Sequence, residues 1–94
     1  MKIKLENEVL SVVVTQRTSC PAGTAYWTVQ YCIDGVVVYS IDTGAIYALP
    51  DPIALLSQGH EHTRISNGVK ESETKTHREW LSDALAQMEL SVSN

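Results

Sequence analysis

The sequence lacks the features that mark several common protein classes. Its 94 residues include no phenylalanine, two cysteines and seven lysine or arginine residues. So few basic residues form no concentrated stripe, which argues against binding to a phosphate backbone. No apolar run approaches the roughly 18 residues needed to cross a bilayer, and residues 1–6 are too charged for a secretory leader. We therefore expect a cytoplasmic protein that binds neither nucleic acid nor a membrane.

The two cysteines indicate neither a disulfide framework nor a zinc motif. Cys20 and Cys32 are far apart in the sequence and do not form a Cys-x-x-Cys pair. Thiols stay reduced in the cytoplasm, and a free cysteine usually behaves as a small buried apolar side chain. Each cysteine is therefore predicted to be structural, and no cofactor is expected.

What the chain does contain is typical of a small folded protein. Hydrophobic residues make up 44% of the sequence and charged residues 19%, with a net charge of −4. These proportions fit a globular chain rather than a disordered one. The length leaves room for one small α+β domain over residues 1–94.

The stretch over residues 24–42 predicts a β-hairpin that turns at Asp34-Gly35, because apolar residues alternate on both sides of it. A two-residue turn would mix apolar and polar side chains on both faces. A three-residue loop over 33–35 sets Tyr31 beside Val37 and separates the faces, so we predict that register. Gly35 then takes the left-handed conformation that glycine adopts without steric cost. The predicted inward face consists of Trp27, Val29, Tyr31, Val37, Tyr39 and Ile41.

Further strands and two helices are predicted around this hairpin. Residues 2–5 alternate, residues 8–17 predict a long strand, and residues 45–49 a short one. The region 60–75 is either an exposed hairpin turning at Asn67-Gly68 or a mobile loop, and the turn signal favours the hairpin. Asp51-Pro52 predicts the start of a short helix over 53–58.

A longer helix is predicted from His77 to about Leu90. Thr76 and Glu79 form the sequence pattern of a capping box, and Trp80, Leu81, Ala84, Leu85 and Met88 recur at helical spacing. The fold class is therefore α+β. We expect an antiparallel sheet of about four strands with the hairpin 24–42 central, and a C-terminal amphipathic helix packed on one face.

One short motif resembles a catalytic signature. Asp42-Thr43-Gly44-Ala45 follows an apolar strand and is similar to the active-site segment of aspartic peptidases, whose retroviral-type members are short homodimers. The resemblance implies that Asp42 supplies one of two carboxylates that share a proton, with Thr43 and Gly44 in support. The alternative is a tight turn between strands, for which these residue types are suited.

The histidines offer a second alternative. His60 and His62 lie two residues apart, and both point to one side if the segment is extended. Together with His77 they could ligate zinc, copper or nickel. Solvated histidines in a polar region are the competing interpretation.

The interpretation we favour is a non-enzymatic accessory or regulatory protein that binds another protein, either a different chain or a second copy of itself. Tyr26, Val36 and Val38 are the predicted partner-binding residues, because they project from the more polar face of the hairpin. In size and acidity the chain resembles small accessory proteins of phages and mobile elements. The sequence names no partner.

Overall fold

The computed structural model of the chain describes residues 1–5 and 7–92, with side chains up to residue 88. The chain divides into two compact units, Met1–Ile53 and Ala54–Asn94. The organisation as one domain stays a prediction. In the described ranges, no helix is both long and apolar enough to cross a membrane.

The first unit is built on a four-stranded antiparallel sheet. Its strands are β1 (Lys2–Leu5), β2 (Glu8–Ser19), β3 (Ala25–Ile33) and β4 (Val36–Asp42). They lie in the order β1-β2-β3-β4, which confirms the predicted antiparallel sheet and, with the C-terminal helix described below, the α+β class. The hairpin is only partly central, because β3 is an inner strand and β4 lies at the edge. The strand predicted over 45–49 is wrong: that segment makes one isolated bridge, between Ala25 and Ile46.

The β3–β4 hairpin turns through two residues and not three, so the predicted loop is wrong. Asp34 and Gly35 both have positive φ, 50° and 78°, as a type I′ turn requires. Ile33 therefore pairs with Val36, and the register then shifts beside Tyr31, which pairs with Tyr39. This bulge adds one residue to β4 and restores the alternation that a two-residue turn alone would lose.

The bulge places the apolar side chains on one face of the sheet. The buried residues of that face include Leu5, Leu10, Val12, Val29, Tyr31 and Ile41. The structure corrects the predicted inward face at three residues. Trp27 and Tyr39 are only half-buried. Val37 is 46% exposed because it pairs with Cys32 on the opposite face. Cys32 is buried as well, although it lies on that opposite face.

The boundary between the two units falls inside a short helix, α1 (Pro52–Leu55). The carboxylate of Asp51 accepts a hydrogen bond from the backbone N–H of Ile53 at 3.0 Å, which confirms the predicted cap. The helix is shorter than the predicted range 53–58.

The second unit contains a β-ribbon and the long helix. The ribbon pairs β5 (Gly59–Ser66) with β6 (Val69–Thr76) through an Asn67-Gly68 turn with φ values of 52° and 76°, so the predicted hairpin is confirmed. The helix α2 (His77–Val92) begins with the predicted capping box. The backbone N–H of Glu79 donates to Thr76 Oγ1, and the N–H of Thr76 donates to Glu79 Oε1, both at 3.2 Å.

Candidate interaction surfaces

The sheet of the first unit exposes apolar side chains on the face opposite its buried one. Val9, Val13 and Val37 are 59%, 47% and 46% exposed, and we call these three residues the outer valine face. The pairing aligns Ser11 with Cys32 and Cys32 with Val37, and Val9 and Val13 flank Ser11 along β2. The three valines therefore surround Cys32, which is a free thiol at 7% exposure.

The sequence carried a signal for this face. Val9 and Val13 alternate with the buried Leu10 and Val12 on β2, so the strand is apolar on both sides. That pattern favours a strand covered on both faces. The structure makes β2 an inner strand but leaves its second face exposed at Val9 and Val13.

The predicted partner-binding residues do not form one patch. Val36 is 58% and Tyr26 40% exposed, whereas Val38 is half-buried. Val36 pairs with Ile33 at the turn, and Tyr26 lies near the other end of β3, roughly 23 Å away along the strand. The Arg17 guanidinium also covers one face of the Tyr26 ring, 5.7 Å from its centroid.

The catalytic-looking Asp42 lies at the end of β4 with structural partners around it. Its Oδ1 accepts a 2.7 Å hydrogen bond from Thr28 Oγ1 and lies 3.9 Å from Arg17 Nε. The Asp42 side chain is 63% exposed. Thr43 Oγ1 accepts from the Trp27 N–H at 3.1 Å and donates to the Gly44 carbonyl at 2.9 Å. These bonds fit the turn interpretation, and the peptidase alternative stays a prediction that a cleavage assay with Asp42→Ala tests.

The three histidines come together in the second unit. The rings of His60 and His77 stack with centroids 4.8 Å apart, and the rings of His60 and His62 meet edge to face at 4.9 Å. His62 in turn stacks on Trp80 at 4.1 Å. The indole N–H of Trp80 donates to the His60 carbonyl oxygen at 2.8 Å, which ties the ribbon to the first turns of α2.

The ring contacts also determine the chemistry of the cluster. Burial, followed by the nearby His60 and His62, lowers the pKa of His77 below its ordinary value of 6.5. A neutral imidazole is the form that binds metals. However, His60 and His77 meet through ring faces, and within the described residues no three histidine, cysteine or acidic side chains are placed to hold a metal ion. The metal alternative stays a prediction, which zinc titration tests.

A groove of about 570 Å³ runs beside this cluster on the ribbon, with Trp80 as one wall. Its charged residues already have partners: Arg64 lies 3.7 Å from Glu71, and Lys75 lies 3.3 Å from Glu73. The Lys75 ammonium also lies over the Trp80 ring, 4.8 Å from the centroid. The groove therefore presents paired charges beside the His62 imidazole and the hydroxyls of Thr63 and Ser72.

No protein-family model, curated protein or solved structure matches the chain.

Proposed function

We propose that the chain is a small, non-enzymatic cytoplasmic protein that acts by binding another protein through the outer valine face. The observation that carries this proposal is the exposure of Val9, Val13 and Val37 on one face of a sheet whose other face is already packed. Several exposed apolar side chains on one face of a small protein are typical of an interaction site.

The chemistry of the surface favours a protein partner. The strands that carry the face supply valines, serine and threonine, with the charged residues Lys2 and Lys4 at its β1 rim. An apolar centre with a polar rim is the usual arrangement of a protein interface. The acidic net charge of −4 argues against nucleic acid as the partner.

Two further observations support the non-enzymatic and cytoplasmic parts of the proposal. Asp42 and Thr43 are engaged in hydrogen bonds within the sheet, which suits a turn better than a reactive centre. Cys20 and Cys32 are both free thiols, as expected of a chain that works in a reducing compartment.

Capture from the native host tests the proposal with a matched pair of variants. Val9 on the outer valine face and Val69 on the ribbon are 59% and 58% exposed, so Val9→Lys and Val69→Lys make the same change at equal exposure. We expect the protein captured by the tagged wild type to be lost with Val9→Lys and retained with Val69→Lys. Equal capture by both variants would contradict the proposed face.

A further inference from the structure

We infer that the partner includes a second copy of this chain, which pairs with it in antiparallel fashion along the free edge of β4. This inference rests on the proposed protein-binding function and names one partner and the strand that holds it. Among the strands that the structure describes, β4 pairs only with β3. Its other side offers backbone groups to a further strand.

The hydrogen-bond pattern identifies the groups that β4 offers. The N–H of Thr43 donates to the Trp27 carbonyl at 2.9 Å, and the N–H of Trp27 donates to Thr43 Oγ1 at 3.1 Å, so Trp27 and Thr43 occupy a hydrogen-bonded position of the ladder. Such pairs alternate along an antiparallel ladder, and Thr28 pairs with Asp42 and Gln30 with Ser40 in the same register. Ser40 and Asp42 therefore direct their backbone N–H and C=O groups away from β3.

The distribution of charge separates β4 from the other edge strands. Proteins protect free strand edges with charged side chains, especially lysine. The short edge strand β1 carries Lys2 and Lys4, and the ribbon carries Glu61, Arg64, Lys70, Glu71, Glu73 and Lys75. By contrast, β4 has a single charged residue, Asp42, at its end, and it contains no lysine, arginine or proline.

A second copy suits this edge better than an unrelated strand, because antiparallel self-pairing about a two-fold axis is self-complementary here. If the axis passes beside Ser40, the Ser40 residues of the two copies exchange both of their backbone hydrogen bonds. The two Asp42 residues then lie on opposite sides of the axis, about 13 Å apart along the strands. Each Asp42 carboxylate also keeps its own Arg17 within 3.9 Å, which limits their repulsion.

The size of the first unit gives a reason for such pairing. A unit spanning Met1–Ile53 buries a smaller share of its chain surface than a larger domain does, so surface buried between two copies would add to its stability. Pairing through β4 joins two four-stranded sheets into one and satisfies the outward backbone groups of Ser40 and Asp42. It also brings Val36 and Val37, which are 58% and 46% exposed, to the boundary between the copies.

Light scattering after size exclusion tests the inference on the purified chain. We expect the wild type to run at twice its 10.4 kDa mass and Ser40→Pro to run at the mass of one chain, with a dissociation constant raised at least tenfold. Proline removes an outward N–H without removing a bond to β3. Ser40→Ala keeps that N–H and should stay dimeric.

The outcomes separate this inference from the proposed function. A wild type that stays monomeric up to millimolar concentration, or a folded Ser40→Pro that stays dimeric, would overturn the inference. If circular dichroism shows that Ser40→Pro does not fold, Ser40→Lys takes its place, since a lysine blocks an edge while keeping the backbone intact. A monomer that still captures a host protein in a Val9-dependent way would overturn only the dimer.

Discussion

Tyr31 and Pro52 are joined by a short hydrogen bond inside the first unit. The phenol Oη of Tyr31, which is fully buried on β3, donates to the Pro52 carbonyl oxygen at 2.6 Å. Burial, together with Tyr39 and Asp51, raises the pKa of Tyr31 to about 12. This bond fixes the chain that follows β4 to the central strands of the sheet.

Removing the Tyr31 hydroxyl should lower the stability of the protein. In Tyr31→Phe the Pro52 carbonyl loses its partner in a buried site, so we expect the free energy of unfolding to fall by about 1–2 kcal/mol. Tyr47→Phe is the control, because Tyr47 is 79% exposed and its change should stay below about 0.5 kcal/mol. Urea denaturation measures both, and equal effects would contradict the role of this bond.

The same tyrosine should make the protein sensitive to alkali. In the unfolded chain the phenol loses its proton near pH 10.0, and in the folded chain near pH 12. The stabilisation is therefore fully present below pH 10 and is lost as the pH rises towards 12. Denaturation midpoints across that range should fall in the wild type and fall less in Tyr31→Phe. If the midpoint falls equally in both proteins, groups other than Tyr31 cause the loss of stability at alkaline pH.

The hairpin turn gives a prediction about glycine. Gly35 has a φ of +78° and nothing within 4 Å of an added Cβ, so Gly35→Ala meets conformational strain but no steric contact. We expect a loss of about 1 kcal/mol in the free energy of unfolding. Gly44 also has open space around it but no positive φ, and Gly44→Ala should be close to neutral. Thermal or urea unfolding gives the midpoint of each variant. An unchanged midpoint for Gly35→Ala would contradict a turn that requires glycine at this position.

The histidine cluster should make the second unit sensitive to acid. The pKa of folded His77 lies below 6.5, because burial and then the neighbouring His60 and His62 disfavour its charged form. The unfolded chain therefore binds more protons as the pH falls through 6.5, so this stabilisation is present above pH 6.5 and is lost below it. Around the cluster, Lys75 lies opposite His60 and Glu73 opposite His62.

Measuring the unfolding midpoint on either side of pH 6.5 checks this prediction. The midpoint should fall on the acidic side in the wild type and depend less on pH in His77→Gln. His60→Gln should reduce the dependence by a smaller amount, since it removes one neighbouring charge and leaves His77 buried. A midpoint that rises on acidification would contradict the predicted loss of stability below pH 6.5.

The parts of the fold that the sequence predicted are those decided by neighbouring residues. Asn67-Gly68 specifies its own turn, and Thr76 with Glu79 specifies a helix start, because each effect acts within four residues. The hairpin register was wrong because two local rules compete at Asp34-Gly35. The Asp-Gly sequence favours a turn of two residues, whereas the separation of apolar and polar side chains favours a loop of three. A bulge in β4 allows the two-residue turn and still separates the faces.

The candidate sites were harder to predict because they depend on what covers each strand. The alternation of Val9 and Val13 was visible, but a pattern of two apolar faces does not say that one face stays exposed. The clustering of His60 with His77 needed the ribbon to fold back to the start of α2, which no spacing rule gives. Tyr26 and Val36 were grouped because both were predicted to project from one face of the hairpin, although they lie near opposite ends of β3.

The central claim is that the outer valine face binds another protein, and site-specific photo-crosslinking in the native host tests it most directly. A crosslinking side chain at Val13 should yield adducts of higher mass, and one at Val69 should not, although Val69 is the more exposed, at 58% against 47%. An adduct specific to Val13 is the result that we predict. No adduct at Val13, or equal adducts at both positions, would contradict the claim.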